Sequence, residues 1–136
     1  MMVRLIVILS LLLLLASSGI LGSQDTYFEL SGEFKCPKNW IWFSLQLWEL
    51  DDNGEHDEMS PWQNTSSFAP HKFLVKGRQY DDAGWEFEVE MRIRHTCSDD
   101  GSILHHVWDL GDFPKAAGKT HKRTYNYDIY NKGVAV

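Results

Sequence analysis

The stretch from Trp85 to Cys97 constrains the fold more than any other part of the chain. Trp85, Phe87, Val89, Met91, Ile93, His95 and Cys97 fall on odd positions, and charged or hydroxyl residues fill the even ones. Strict period two belongs to a β-strand with one buried and one wet face, whereas a helix would scatter the same apolar residues around its circumference. At about 3.4 Å per residue the run would extend ~44 Å, long for one strand, so a bend or bulge is expected before its end.

The same alternation recurs on both sides of this stretch. Phe28, Leu30, Gly32, Phe34 and Cys36 share a face against Glu29, Ser31, Glu33 and Lys35. The mid-strand Gly32 predicts a bulge or a closely approaching backbone. Ile41, Phe43, Leu45 and Leu47 line a further strand whose other face carries Trp42, Ser44, Gln46 and Trp48. The acidic run from Leu50 to Glu58 reads as a turn, and Ser60 to Pro70 as a polar connection. A short strand at Lys72 to Lys76 ends at Gly77, and Gln79 to Gly84 turns into the long strand. Ile103 to Leu110 is a weaker strand broken by Gly111-Asp112-Phe113-Pro114. Lys115 to Arg123 is basic and expected to be exposed, and Tyr125 to Tyr130 forms the last strand. About seven short strands without a helical stripe indicate an all-β, Ig-like sandwich.

Compartment follows from the N-terminus. A basic start through Arg4 precedes Leu5 to Leu15, apolar apart from Ser10, and then the small residues Ala16-Ser17-Ser18-Gly19. This is the pattern of a secretory signal peptide over residues 1–18, with cleavage as late as residue 23, leaving one domain over 24–136. The alternative, a membrane anchor, calls for ~20 apolar residues, more than this run supplies. Secretion makes the Asn64-Thr65-Ser66 sequon usable, and an occupied sequon would place Asn64 on an exposed loop. The formal charge of −6 becomes about −7 once Arg4 is removed, which disfavours nucleic acid and anionic lipid as partners by long-range attraction.

Cys36 and Cys97 are each in phase with core residues near the end of a strand. In an oxidising compartment they most simply form one bridge, the alternatives being two free thiols or intermolecular pairing. A loop of roughly 60 residues closed this way contributes about 4 kcal/mol in the chain-entropy model.

Five pieces in order then carry a family resemblance. They are Gly32-Glu33-Phe34-Lys35-Cys36, Leu45 to Asp51, Ile93-Arg94-His95-Thr96-Cys97, Asp112-Phe113-Pro114 and Tyr127-Asp128-Ile129. The mature chain resembles the nematode transthyretin-like family of small secreted proteins, as a divergent member. Pro37 precedes Lys38 where the family has the reverse order, the glycine of its turn before the central strand is missing from Thr65 to Phe73, and a further cysteine is absent. The resemblance implies a transthyretin-type (prealbumin-type) β-sandwich and an extracellular carrier, bridging or signalling role without catalysis.

The remaining chemistry is sparse. His95 shares the buried face, and a histidine there is most simply satisfied by backbone or a hydroxyl. A zinc site would need His95 together with His105 or His106, but those two alternate across their strand and cannot face one site. The acidic run lacks the EF-hand spacing. Hydrolases of 5-hydroxyisourate share the transthyretin fold, yet they end in Tyr-Arg-Gly-Ser, and this chain ends Tyr130-Asn131-Lys132-Gly133-Val134-Ala135-Val136 and has no histidine before His56. No catalytic residue, cofactor or metal is therefore expected. The expectation is a binding module for a lipid, a small apolar ligand or a cell-surface protein, using Trp42, Trp48, Tyr125, Tyr127 and Tyr130. The alternative is a structural or adhesive protein that oligomerises through strand edges.

Overall fold

Alternating stretches become strands throughout the computed structural model, which describes residues 24–52, 54–80 and 84–136. The expected signal peptide and part of the turn after Gln79 lie outside the described residues. The strands are β1 (Thr26–Lys35), β2 (Trp40–Leu50), β3 (His56–Glu58), β4 (Gln63–Phe68), β5 (His71–Gln79), β6 (Glu86–His95), β7 (Leu104–Pro114), β8 (Thr120–Asp128) and β9 (Val134–Ala135), with no helix among the described residues. Seven of them have six or more residues, matching the expected count, and β3 and β9 are short additions.

Two sheets form. One has the order β5-β1-β8, with β1 antiparallel to β5 and parallel to β8. The other is six-stranded, β3-β2-β6-β7-β9, with β4 also paired to β2. The inward residues of β1, β2 and β6 are the ones whose alternation defined those strands. Phe28, Leu30, Phe34, Ile41, Phe43, Leu45, Leu47, Phe87, Val89, Met91 and Ile93 are all buried in one cluster. Its aromatic rings interlock: Phe28 meets Phe113 edge-on at 5.3 Å, and Phe34 stacks on Phe73 at 4.3 Å. Such pairs add about 0.5–1.5 kcal/mol each to the burial itself.

Cys36 and Cys97 are bonded, with a Cα–Cα distance of 6.1 Å and a sequence separation of 61. The bridge joins the residue after β1 to the segment after β6, and so ties the two sheets at one end. Gly32 answers to a close backbone: a Cβ there would lie 1.8 Å from the Tyr125 carbonyl oxygen. Strand β8 can approach β1 at this point only because Gly32 has no side chain.

Several expectations need correction. Trp85 is not buried; it precedes β6 and is 91 % exposed, because it extends beyond the cover of the opposing sheet. Gly111-Asp112-Phe113-Pro114 does not break its strand. The register slips between Val89 and Glu90, which face Gly111 and Asp109, so that Leu110 is the extra residue. Gly111, at φ 79°, absorbs the irregularity, and its N–H donates to Asp109 Oδ1 at 2.8 Å. The expected bulge therefore exists, on the partner strand, and Phe113 beyond it is buried opposite Phe87.

Gly77 lies inside β5 instead of ending it. Ser60 to Pro70 is not merely a connection, since β4 pairs with Trp40–Leu45. This places Asn64 on an exposed strand instead of a loop. The polar composition of β4 fits a strand paired on one side only. The acidic run resumes pairing as β3, and the second half of the basic run opens β8.

Candidate functional site

Period two also decides which side chains the large sheet turns outward. On β2 these are Trp42, Ser44, Gln46 and Trp48. Their antiparallel partners share that face: Ser66 and Asn64 on β4, Arg94, Arg92 and Glu90 on β6, and beyond them His105 and Val107 on β7. Trp62, one turn of the alternation before Asn64, joins the same face, as its contacts with Arg94 and His105 show.

These side chains hold one another in place. The Arg92 guanidinium lies 3.7 Å from the centre of the Trp48 ring and pairs with Glu90 Oε1 at 3.0 Å. Trp48 Nε1–H donates to Gln46 Oε1 at 2.6 Å, and Gln46 Nε2 donates to the Ser60 carbonyl at 3.2 Å. Arg94 lies 4.4 Å over Trp62, which meets the His105 ring edge-on at 6.3 Å. Each arginine–tryptophan stack contributes about 0.5–2 kcal/mol, more as it is desolvated. The result is an aromatic and cationic surface with hydrogen-bonding groups between the rings. Burial, reinforced by the nearby charges of Arg94 and Arg92, lowers the His105 pKa below its ordinary 6.5. The imidazole is thereby biased toward its neutral form.

Of the five residues expected to bind a ligand, only Trp42 and Trp48 belong to this face, and both are half-buried. Tyr125 and Tyr127 turn inward from β8 and pack against the core. Trp108 is stacked on Tyr127 at 3.8 Å and meets Tyr125 edge-on at 5.0 Å. Tyr127 Oη also bonds His106 at 2.8 Å, and Lys132 lies 4.3 Å over its ring. These tyrosines close the seam between the two sheets. Tyr130 is separate again; its hydroxyl donates to Asp99, which raises its pKa above 10.0. Trp62, Arg92 and Arg94 were missed, although the period-two register of β6 already placed both arginines opposite the tryptophan face. Trp62 gave no comparable signal, because it precedes β4, a short and polar strand.

The histidines divide as their positions require. His95 is fully buried, with Nε2 against the Lys132 carbonyl at 2.8 Å and Nδ1 accepting from the Cys97 N–H at 3.1 Å. Its Nε2 is therefore the protonated nitrogen, and burial holds its pKa below 6.5. Both ring nitrogens are occupied, leaving none to act as base or ligand. His106 faces Tyr127 and His105 faces Trp62, on opposite sides of β7. Among the described residues Glu49, Asp51 and Asp57 form one group whose carboxylate oxygens lie within 4.8 Å of one another. Oxygen clusters of this kind suit a hard divalent cation, but surface carboxylates also gather without one.

Phe28, Phe34, Phe43, Phe87 and Phe113 are the bulkiest fully buried side chains of the core, and a depression of about 770 Å³ opens outward beside Cys36, Pro37, His71 and Tyr130 at the disulfide end. No helix among the described residues is long and apolar enough to cross a membrane. The chain matches no family model, no curated protein and no solved structure.

Proposed function

We propose that the chain is a secreted, non-catalytic binding module of divergent transthyretin-like type that engages an extracellular partner through the outer face of its large sheet. One observation carries this reading: Trp48 and Trp62 stand on that face with Arg92 and Arg94 stacked upon them. Tryptophan and arginine are the residues that dominate binding energy at protein surfaces, because they offer large contact area at low ordering cost once prearranged. A core occupied by the buried rings of Phe28, Phe34, Phe43, Phe87 and Phe113 favours a macromolecular cell-surface partner over a lipid or small apolar ligand enclosed within the sandwich. The signal-like N-terminus and the Cys36–Cys97 bridge support an extracellular setting.

The test is binding of fluorescently labelled mature protein to intact cells, with W48A and R92Q as variants. Loss of binding in both, with folding retained by circular dichroism, is the expected result. Unchanged binding in both variants would remove this face from the proposal. Phosphatidylcholine vesicles in place of cells test the lipid alternative directly.

A second reading rests on β8. It is the last strand of its sheet, and no strand among the described residues pairs with its outer edge. An unpaired edge of nine residues is a template for another chain, which supports a structural or adhesive protein assembling through that edge. Size-exclusion chromatography with light scattering separates the two readings, because edge assembly yields an oligomer and face recognition yields a monomer.

A further inference from the structure

Asn64 occupies a particular place on the outer face. It lies opposite Ser44 of β2, which lies opposite Arg94 of β6. Ser66 holds the next same-face position of β4, Trp62 stands two residues before Asn64 just ahead of the strand, and Asn64 itself is exposed. Ser44 supplies an independent observation. It is 2 % exposed, and its Oγ has no hydrogen-bond partner among the described residues. A buried hydroxyl left unsatisfied is destabilising, so an unfilled donor and acceptor directly beside Asn64 points to a polar group that belongs there. Trp62 offers the apolar half of the same site. Arg94 covers the ring at 4.4 Å and His105 abuts its edge, yet Trp62 stays partly exposed and so offers ring surface for a sugar to stack on.

We propose that an N-linked glycan on Asn64 folds back onto the sheet. Its first N-acetylhexosamine stacks on Trp62 and hydrogen-bonds the Ser44 hydroxyl. The protein's own carbohydrate then covers the Trp62–Arg94 half of the face and leaves the Trp48–Arg92 half for a partner. This rests on the secretion reading above, since the sugar is added in the secretory pathway. The donor there is a polyprenyl pyrophosphate oligosaccharide. Its C1–O bond breaks, a bond from C1 to Asn64 Nδ2 forms, the amide gives up one proton, and the lipid pyrophosphate leaves. A sugar is suited to this place because its axial C–H groups meet an aromatic face while its hydroxyl and N-acetyl groups bond to neighbouring polar side chains. On Asn64 the glycan is tethered within reach, so its ordering cost is small.

The test uses full-length chain expressed in a secreting eukaryotic cell, with intact mass reporting occupancy of Asn64. Hydroxyl-radical footprinting then compares the glycosylated protein with N64Q, taking the freely exposed Trp85 as internal reference. Oxidation of Trp62 is expected to fall several-fold in the glycosylated form while that of Trp85 stays constant. Urea unfolding adds a measurement that simple shielding would not move. The glycan should raise the folding equilibrium constant on the order of fivefold, the size of one aromatic stack, and W62A should abolish that gain. Equal Trp62 oxidation in both forms, or a stability gain that persists in W62A, overturns the proposal. So does a secreted chain unmodified at Asn64, and in that case the secretion reading survives. A chain that never reaches the medium overturns both.

Discussion

Replacing Cys36 and Cys97 together by alanine removes the disulfide that cross-links the two sheets. A separation of 61 residues sets the entropy that the bridge withholds from the unfolded chain. The chain-entropy relation gives about 14 cal/mol/K, or ~4.3 kcal/mol at 25 °C. Cys97 is fully buried, so losing its sulfur also leaves a small void, worth about 1 kcal/mol more. A loss of about 5 kcal/mol is a third or more of the ~5–15 kcal/mol typical of a domain. Alanine is the appropriate replacement, because serine would place an unpaired hydroxyl in the same buried site. Urea unfolding followed by tryptophan fluorescence measures the effect. The m value should rise as well, since an unfolded chain without the loop exposes more surface. A loss below about 1 kcal/mol with an unchanged m value would refute the reasoning, because it would mean that the loop is already constrained in the unfolded state.

Other outcomes follow from the packing. Gly32→Ala drives a Cβ into the Tyr125 carbonyl and must part β1 from β8, so a loss of ~3 kcal/mol or more is expected in the same urea assay; wild-type stability would contradict the close approach. Trp108→Ala removes the stack on Tyr127 and should cost about 2–4 kcal/mol without affecting cell binding, whereas lost binding at full stability would restore that cluster as a ligand site. His95 has a folded pKa held below 6.5 by burial, so the folded state binds fewer protons than the unfolded one. Its contribution is complete above pH 6.5 and is lost as pH falls through that value toward the folded pKa; His105 and His106 are shifted the same way. Unfolding midpoints at pH 7.5 and 5.5 should therefore differ, and a flat profile would mean that His95 is solvated.

The fold was legible where both faces of a strand have unlike neighbours. β1, β2 and β6 each put apolar residues into the core and polar ones outward, and the alternation alone located them to within about two residues. β4 and the second half of β7 were obscured for separate reasons. β4 pairs on one side only and buries little beyond Ser67, so nothing forces hydrophobic alternation on it. β7 crosses a bulge, and the extra Leu110 shifts the phase so that Phe113 looks misplaced when counted from Leu104.

The site was half legible for a related reason. Trp42 and Trp48 announced themselves as aromatics out of phase with a buried face, and that inference needed only one strand. Assigning Tyr125 and Tyr127 required knowing which face of β8 meets the core. A tyrosine is compatible with either side, because its ring is apolar and its hydroxyl is not. The deciding partner is Trp108, on a strand that shares no hydrogen-bonded ladder with β8, so no local period contains the answer. The outer face has the same character. Trp62, Asn64, Ser44 and Arg94 come from three strands, and only the pairing of β4 with β2, and of β2 with β6, brings them into one row. A sequon read alone marks an asparagine as accessible. Set in that row, beside an unsatisfied hydroxyl and an aromatic ring, it also marks the surface on which its sugar would rest.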